Sequence, residues 1–257
     1  MAEAIELSNI EKRYGAHLAL AGVSLGVQAG EFTALVGGSG SGKTTLLKII
    51  NGLVTPDAGE ARVQGEVVGA GPPHVLRRKI GYVFQEIGLF PHLSVGENIA
   101  ITPKLLGWDP ARIAARVDTL LHLVALPKAV AARAPAELSG GQRQRVGVAR
   151  ALAAEPKLML MDEPFDALDP LTRDQLGSDY RSLHEHLGLT TVMVTHDMAE
   201  AVLLADRIVV LSGGRILADG RPAELLATTA DPEVRALLEA PRRQAERLRA
   251  RLAGEGA

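Results

Sequence analysis

Residues 37 to 44 read Gly-Gly-Ser-Gly-Ser-Gly-Lys-Thr, and the spacing of Gly37, Gly42, Lys43 and Thr44 fits a loop that wraps a polyphosphate. Glycine lets the backbone turn the N–H groups of Gly38, Ser39, Gly40, Ser41 and Gly42 inward around phosphate oxygens. Lys43 is suited to the β- and γ-phosphates, Thr44 to Mg²⁺ through its hydroxyl, and Thr45 extends the same helix start. A second group of chemically able residues lies far along the chain. Asp162 and Glu163 are adjacent after an apolar run; Asp162 can hold Mg²⁺ through its water shell, and Glu163 can polarise a water for in-line attack on a γ-phosphate. Gln85 can reach the same ion or water with its amide, and His196 can donate to the γ-phosphate or to Glu163. Each of these two also has a plain reading, Gln85 as an exposed loop residue and His196 as a structural histidine.

These residues need a sheet to bring them together. Phe32 to Val36 reads as a buried strand entering the glycine loop, and Lys43 to about Asn51 as the helix leaving it, its positive end aimed at the anion. Leu158-Met159-Leu160-Met161 is the continuous apolar pattern of a strand buried on both faces, and Thr191 to Thr195 reads as a further strand that delivers His196 to the same sheet edge. Ile80 to Phe84 makes a further strand ending at Gln85. In open α/β sheets, ligands collect at the carboxyl ends of strands, and all these residues stand at such ends.

The remaining chain supplies the frame. Ile5 and Leu7 alternate with polar residues, and Leu18 to Val27 forms a second apolar segment, with Lys12-Arg13-Tyr14-Gly15 as a turn between them. Tyr14 is a candidate platform for a purine ring, or an ordinary half-buried tyrosine. A short strand is expected from Glu60 to Gln64, then a surface loop over 65 to 79. Ile113, Val117, Leu120, Leu121 and Val124 define one face of an amphipathic helix, which marks a helical lobe inserted in the sheet domain. The segment Ile87 to Leu93 either lines a groove for a partner or packs on this lobe. Ser139 suits an N-cap, and Gly140 and Gly141, followed by Gln142, leave the next N–H groups unshielded, a second anion-facing helix start running to about Ala154. Pro164 to Pro170 form a tight loop holding Asp166 and Asp169. Asp206 to Leu211 and Arg215 to Ala218 form a hairpin across Ser212-Gly213-Gly214. From Glu233 a helix carries Arg242, Arg243, Arg247, Arg249 and Arg251, a solvated face or a surface for a membrane or partner.

With 257 residues, 47% of them hydrophobic and 23% charged, the composition is that of an ordinary globular chain. The formal net charge of −2 gives no general attraction to nucleic acid. The absence of cysteine excludes disulfides, thiol catalysis and cysteine-ligated zinc. No run approaches a membrane span and no signal peptide opens the sequence, so the expected place is the cytoplasm.

Taken in order, Tyr14, the loop at 37 to 44, Gln85, Leu-Ser-Gly-Gly-Gln at 138 to 142, Leu-Met-Leu-Met-Asp-Glu at 158 to 163, Ala-Leu-Asp at 167 to 169 and His196 resemble the ATP-binding cassette family over roughly residues 4 to 225. The resemblance implies an α/β fold: a P-loop NTPase (RecA-like) core with an N-terminal antiparallel β subdomain and an inserted helical subdomain at about 86 to 155, followed by a C-terminal helical tail at 226 to 257. It implies ATP and Mg²⁺ as cofactors, with Tyr14 stacking on adenine, Gln85 as the Mg²⁺ and coupling glutamine, Glu163 as catalytic carboxylate and His196 as switch histidine. It implies a head-to-tail dimer, of identical or closely related subunits, in which Ser139, Gly140, Gly141 and Gln142 of one close on the nucleotide of the other and Asp169 belongs to the intervening D-loop. The stretches Ile80 to Ile99, Met161 to Phe165 and Ala167 to Arg173 look like importer ATPases for osmoprotectants such as glycine betaine, choline and related quaternary amines. That places the chain at the cytoplasmic face of a membrane beside an integral permease, with an extracytoplasmic solute-binding protein as indirect partner. Asp166 departs from that group, which usually has glycine there. Rival roles are a cassette acting on ribosomes or DNA, a lipid exporter subunit and a non-hydrolysing regulatory cassette.

Overall fold

A computed structural model of the chain describes residues 3–85, 87–166 and 168–252; Met1, Ala2, Glu86, Ala167 of the Ala-Leu-Asp stretch and the terminal Ala253 to Ala257 lie outside them. In chain order the strands and helices are β1 (Glu3–Tyr14), β2 (His17–Gln28), β3 (Phe32–Val36), α1 (Lys43–Ile50), β4 (Ala58–Val63), β5 (Glu66–Val67), α2 (Pro73–Lys79), β6 (Ile80–Val83), α3 (Val95–Leu105), α4 (Pro110–Leu123), α5 (Gly140–Leu152), β7 (Leu158–Asp162), α6 (Pro170–Leu187), β8 (Thr190–Thr195), α7 (Met198–Leu204), β9 (Arg207–Ser212), β10 (Arg215–Gly220), α8 (Pro222–Thr228) and α9 (Pro232–Leu252). Two short 3-10 turns, Lys128–Ala132 and Pro135–Glu137, link α4 to α5.

The strands form two sheets. The first is antiparallel, in the order β2-β1-β4-β5, and the second has the order β10-β9-β3-β8-β7-β6. In the second, β9, β3, β8, β7 and β6 run parallel and only β10 is antiparallel. Every residue of β3, β7 and β8 is buried, as a parallel sheet covered on both faces requires. Their side chains divide with period two. Phe32, Ala34, Val36, Met159, Met161 and Met193 join the core shared with the helices, whereas Leu35, Leu158, Leu160, Val192 and Val194 join the core shared with the first sheet and α1.

Between β6 and β7 stand α3, α4 and α5. The face read from the sequence is the packed one: Ile113, Val117, Leu120, Leu121 and Val124 are all buried. The start of α3 is fixed by a reciprocal capping box of Ser94 and Glu97. Buried Asn98 accepts from the N–H of Phe90 and donates to the carbonyls of Phe90, Leu93 and Ser94. The segment leading to α3 is therefore held by the lobe's own helices, while the Phe90 ring stays exposed beside Tyr82, Phe84 and Arg150 along a groove.

The structure corrects several sequence readings. Residues 65 to 79 are not one loop: they contain β5 and α2. Helix α2 starts at Pro73, buries no residue, and so leaves no apolar period for a sequence reading to detect. β1 runs through Lys12 to Tyr14, confining the turn to Gly15 and Ala16, and β4 begins at Ala58 and ends before Gln64. α5 ends at Leu152, two residues short of the expected Ala154. In α9, Val234 and Leu238 pack into the core, whereas the arginines from Arg242 onward are exposed and partly paired, as in Arg242–Glu246 and Arg243–Glu239.

Candidate active site

Strand register collects the chemically able residues at one edge. Val36 is level with Thr195, Asp162 with Val194, and Val83 with Met161. The four parallel strands thus release Gly37, Glu163, His196 and Gln85 on the same side of the sheet. A cleft of about 500 Å³ there is lined by Tyr14, His17, Ala19, Ser39 to Thr45, Gln85, Glu163 and His196. His17 and Ala19 were not among the sequence candidates; the pairing of Tyr14 with His17 across the hairpin turn brings them in.

The glycine loop is shaped by what surrounds it. Gly37 has φ +152° and a Cβ there would lie 2.0 Å from the Leu211 carbonyl; Gly42 has φ +104° and its Cβ would lie 2.5 Å from the Ala19 carbonyl. Only glycine fits such close backbone approach. Gly42 is also the N-cap of α1, so this helix start has no side-chain cap and keeps its N–H groups for a ligand. Lys43 folds back over the loop, its Nζ donating to the carbonyls of Gly37 and Gly38 at 2.8 Å each and to Ser41 Oγ at 3.3 Å. Burial lowers the Lys43 pKa, with Glu163 and then Asp162 opposing that shift.

Two oxygens suited to a hard cation meet beside it. Thr44 Oγ1 donates to Asp162 Oδ1 at 2.9 Å. Burial raises the Asp162 pKa, against the Thr44 hydrogen bond and the charges of Lys48 and Lys43. A hydroxyl and a carboxylate on adjoining elements, with an amide nearby, fit an ion that takes oxygen ligands and keeps part of its water shell.

Glu163 stands just beyond β7 with a left-handed backbone, φ +46°, a conformation costly for a residue with a side chain and typical of functional positions. Its N–H donates to the Val194 carbonyl at 3.0 Å, fixing it to β8. Gln85 Nε2 donates to Glu163 Oε2 at 2.6 Å. His196 Nδ1 lies 3.7 Å from Glu163 Oε1 and 3.4 Å from Asp166 Oδ2. Burial first and then the Asp166 carboxyl raise the Glu163 pKa. Asp166, left without a role by the sequence, is thus a second carboxylate against the Glu163–His196 pair.

Ser139, Gly140, Gly141, Gln142 and Asp169 do not enter this cleft. They line a separate groove of about 390 Å³ with Arg145, Leu168 and Thr172. Ser139 accepts from Gln142 N–H while the Gln142 side chain accepts from Ser139 N–H, a reciprocal cap at the start of α5. Asp169 caps α6 by accepting from Thr172 N–H at 3.0 Å.

A glycine loop between a buried parallel strand and a helix, a Thr–Asp oxygen pair and a carboxylate at the adjoining strand exit define a P-loop nucleotide-binding protein. A family profile described as "ABC transporter" matches residues 20–166, and the chain belongs to that family. It is 49% identical over 231 residues to the glycine betaine uptake system ATP-binding protein YehX of Escherichia coli (strain K12), across 90% of this chain and 75% of that one. It is 50% identical over 228 residues to the choline transport ATP-binding protein OpuBA of Bacillus subtilis (strain 168), across 88% of this chain and 60% of the relative's length. Among solved structures, the dimeric post-hydrolysis state of the ATP-binding cassette MJ0796 bound to ADP and Pi superposes with TM-score 0.77 at 35% identity, covering 84% of this chain and 98% of that one. A cassette of Clostridium perfringens, cbiO1, part of the ABC transporter complex cbiONQ, gives TM-score 0.81 at 29% identity over 94% and 97% of the two chains.

Proposed function

We propose that the chain is the ATP-hydrolysing subunit of an importer for osmoprotectants of the quaternary amine type. The observation that carries hydrolysis is the Glu163 carboxylate, hydrogen-bonded to Gln85 and beside His196, across the cleft from Lys43. In this reading Tyr14 stacks on adenine and the backbone N–H groups of residues 37 to 45 hold the phosphates. Lys43 exchanges its carbonyl partners for the β- and γ-phosphates and offsets their charge. Glu163 orients a water and takes its proton as the water oxygen bonds to the γ-phosphorus and the β–γ bridging oxygen departs with ADP. His196 holds the γ-phosphoryl oxygens. Thr44, Asp162 and Gln85 would hold Mg²⁺, which when bound would supply positive charge against the phosphates.

The second groove completes the site from another copy of the chain or a closely related one, with Ser139, Gly140, Gly141 and Gln142 facing the neighbour's γ-phosphate and Asp169 between them. Residues 1–225 form the ATPase domain, 86–155 its inserted helical lobe and 226–257 a helical tail. Among the described residues no helix is long and apolar enough to cross a membrane. In this reading the partners are an integral permease, which holds this chain at the membrane's cytoplasmic face, and an extracytoplasmic binding protein that selects the solute; nucleic acid is not among them. The choice of solute class rests on the glycine betaine and choline relatives. Co-purification from gently solubilised membranes tests it: a multi-span permease whose binding protein takes a quaternary amine is the expected result, and recovery with ribosomes or alone overturns the transport role.

A further inference from the structure

Arg173, in the first turns of α6, reaches two loops at once. Its Nη2 donates to the carbonyls of Asp166 and Leu168, each at 3.3 Å, and its Nη1 to Asp197 Oδ2 at 3.4 Å. Asp166 and Leu168 precede Asp169, in the loop that faces the second groove. Asp197 follows His196 and caps α7 by accepting from the N–H groups of Ala199 and Glu200. One planar guanidinium therefore joins the loop at the second groove to the turn at the phosphate cleft, and the fork suits this better than a point charge would.

The rest of the guanidinium is unfinished. Arg173 Nε is buried without a hydrogen-bond partner, and so is Glu200 Oε1; they face each other at 3.7 Å. The other Glu200 oxygen accepts from Thr195 Oγ1 at 2.7 Å, and Thr195 Oγ1 accepts from Asp197 N–H at 3.0 Å. Glu200 is thus bonded to the residue before His196. A cavity of about 440 Å³, walled in part by Phe165, Gly177 and Leu204, lies beside the pair and leaves room for movement. A buried polar atom without a partner is costly, so shortening this gap is favourable once the loops shift.

We propose that Arg173 is a positioning residue that couples the two grooves. When a second subunit engages Asp169 and the Ser139 helix start, displacement of Asp166 and Leu168 passes through Arg173 to the Thr195–Asp197 turn and sets His196 beside Glu163. This rests on the ATPase reading above and names the internal link that a composite site needs. A plain structural brace predicts something else, loss of fold and of nucleotide binding together.

The test uses the full chain and three variants, Arg173→Met, Arg173→Lys and Glu200→Gln, the last keeping the Thr195 hydrogen bond while removing the facing charge. Steady-state hydrolysis, ATP affinity by fluorescence and melting temperature are measured together. The coupling role predicts kcat lower by about tenfold or more in both Arg173 variants, with no rescue by lysine, and ATP affinity within about twofold of wild type. Glu200→Gln lowers kcat by a smaller factor at unchanged affinity. Wild-type kcat in Arg173→Lys or in Glu200→Gln overturns the proposal, as does a parallel fall of affinity, melting temperature and kcat. If Arg173→Met does not fold, the other two variants decide. A wild-type chain without ATPase activity would instead overturn the function proposed above.

Discussion

Gln85 Nε2 and Glu163 Oε2 are 2.6 Å apart, although 77 residues lie between them in sequence, because the strands they follow, β6 and β7, are neighbours in the sheet. The bond ties the carboxylate that faces the cleft to the segment leading into the helical lobe. Any movement of that segment reaches the reacting position through one side chain.

Replacing Glu163 by Gln should leave ATP binding close to wild type and lower kcat by roughly 10²–10⁴-fold, the usual range for a lost general base. Filtration and ATPase assays on the same preparation check this, with ATP-dependent dimer trapped by the slow variant. Undiminished turnover would remove Glu163 from the role.

For Lys43→Ala the expected loss is in affinity, on the order of ten- to a hundredfold, since a hydrogen bond to a charged group contributes about 1.5–3 kcal/mol. Mixing Lys43→Ala chains with Gly141→Asp chains should restore part of the activity that neither shows alone. Each mixed dimer then contains one intact phosphate loop opposite one intact Ser139 helix start. No recovery in the mixture would count against the composite site.

Gly37→Ala should destabilise by roughly 1–3 kcal/mol, through positive-φ strain and a clash with the Leu211 carbonyl. Gly38→Ala, which meets nothing within 4 Å, should leave the melting temperature near wild type. Thermal melts without nucleotide separate the two.

His184 gives a pH signature of folding. Its Nδ1 pairs with Thr191 Oγ1 at 3.0 Å, and burial, then Arg181, lower its pKa from the ordinary 6.5. The unfolded chain then binds more protons than the folded one below about pH 6.5, so this residue's contribution is present above that pH and is lost as pH falls towards the folded value. Urea midpoints at pH 7 and pH 5 should therefore differ more for wild type than for His184→Gln, by at most about 1.4 kcal/mol per pH unit. Equal differences would show that His184 does not titrate on unfolding.

Apart from His17 and Ala19, which the hairpin pairing brings in, the residues lining the cleft were legible because their chemistry sits in short spaced strings. Residues 37 to 44 and 158 to 163 carry both their function and the strand that delivers it. Asp166 and Arg173 were not legible, since their roles depend on contacts with His196, Leu168 and Asp197 that only the folded loop creates. Helix α2 was missed for the opposite reason: with no buried face, its sequence differs little from that of a loop. The groove that contains Ser139 was readable as a helix start, but its separation from the phosphate cleft is a property of the tertiary fold.

The strand order also sets a timetable for synthesis. β3 pairs with β8 and β9 alone, so this strand, buried along its whole length in the folded protein, has no sheet partner until residues 190 to 212 have been made. At roughly 5–20 residues per second, a ribosome leaves the phosphate-loop strand waiting on the order of ten to thirty seconds. During that interval β3 lacks both of the strands that flank it in the folded sheet, so the sheet around the phosphate loop closes only after the helical lobe has been made.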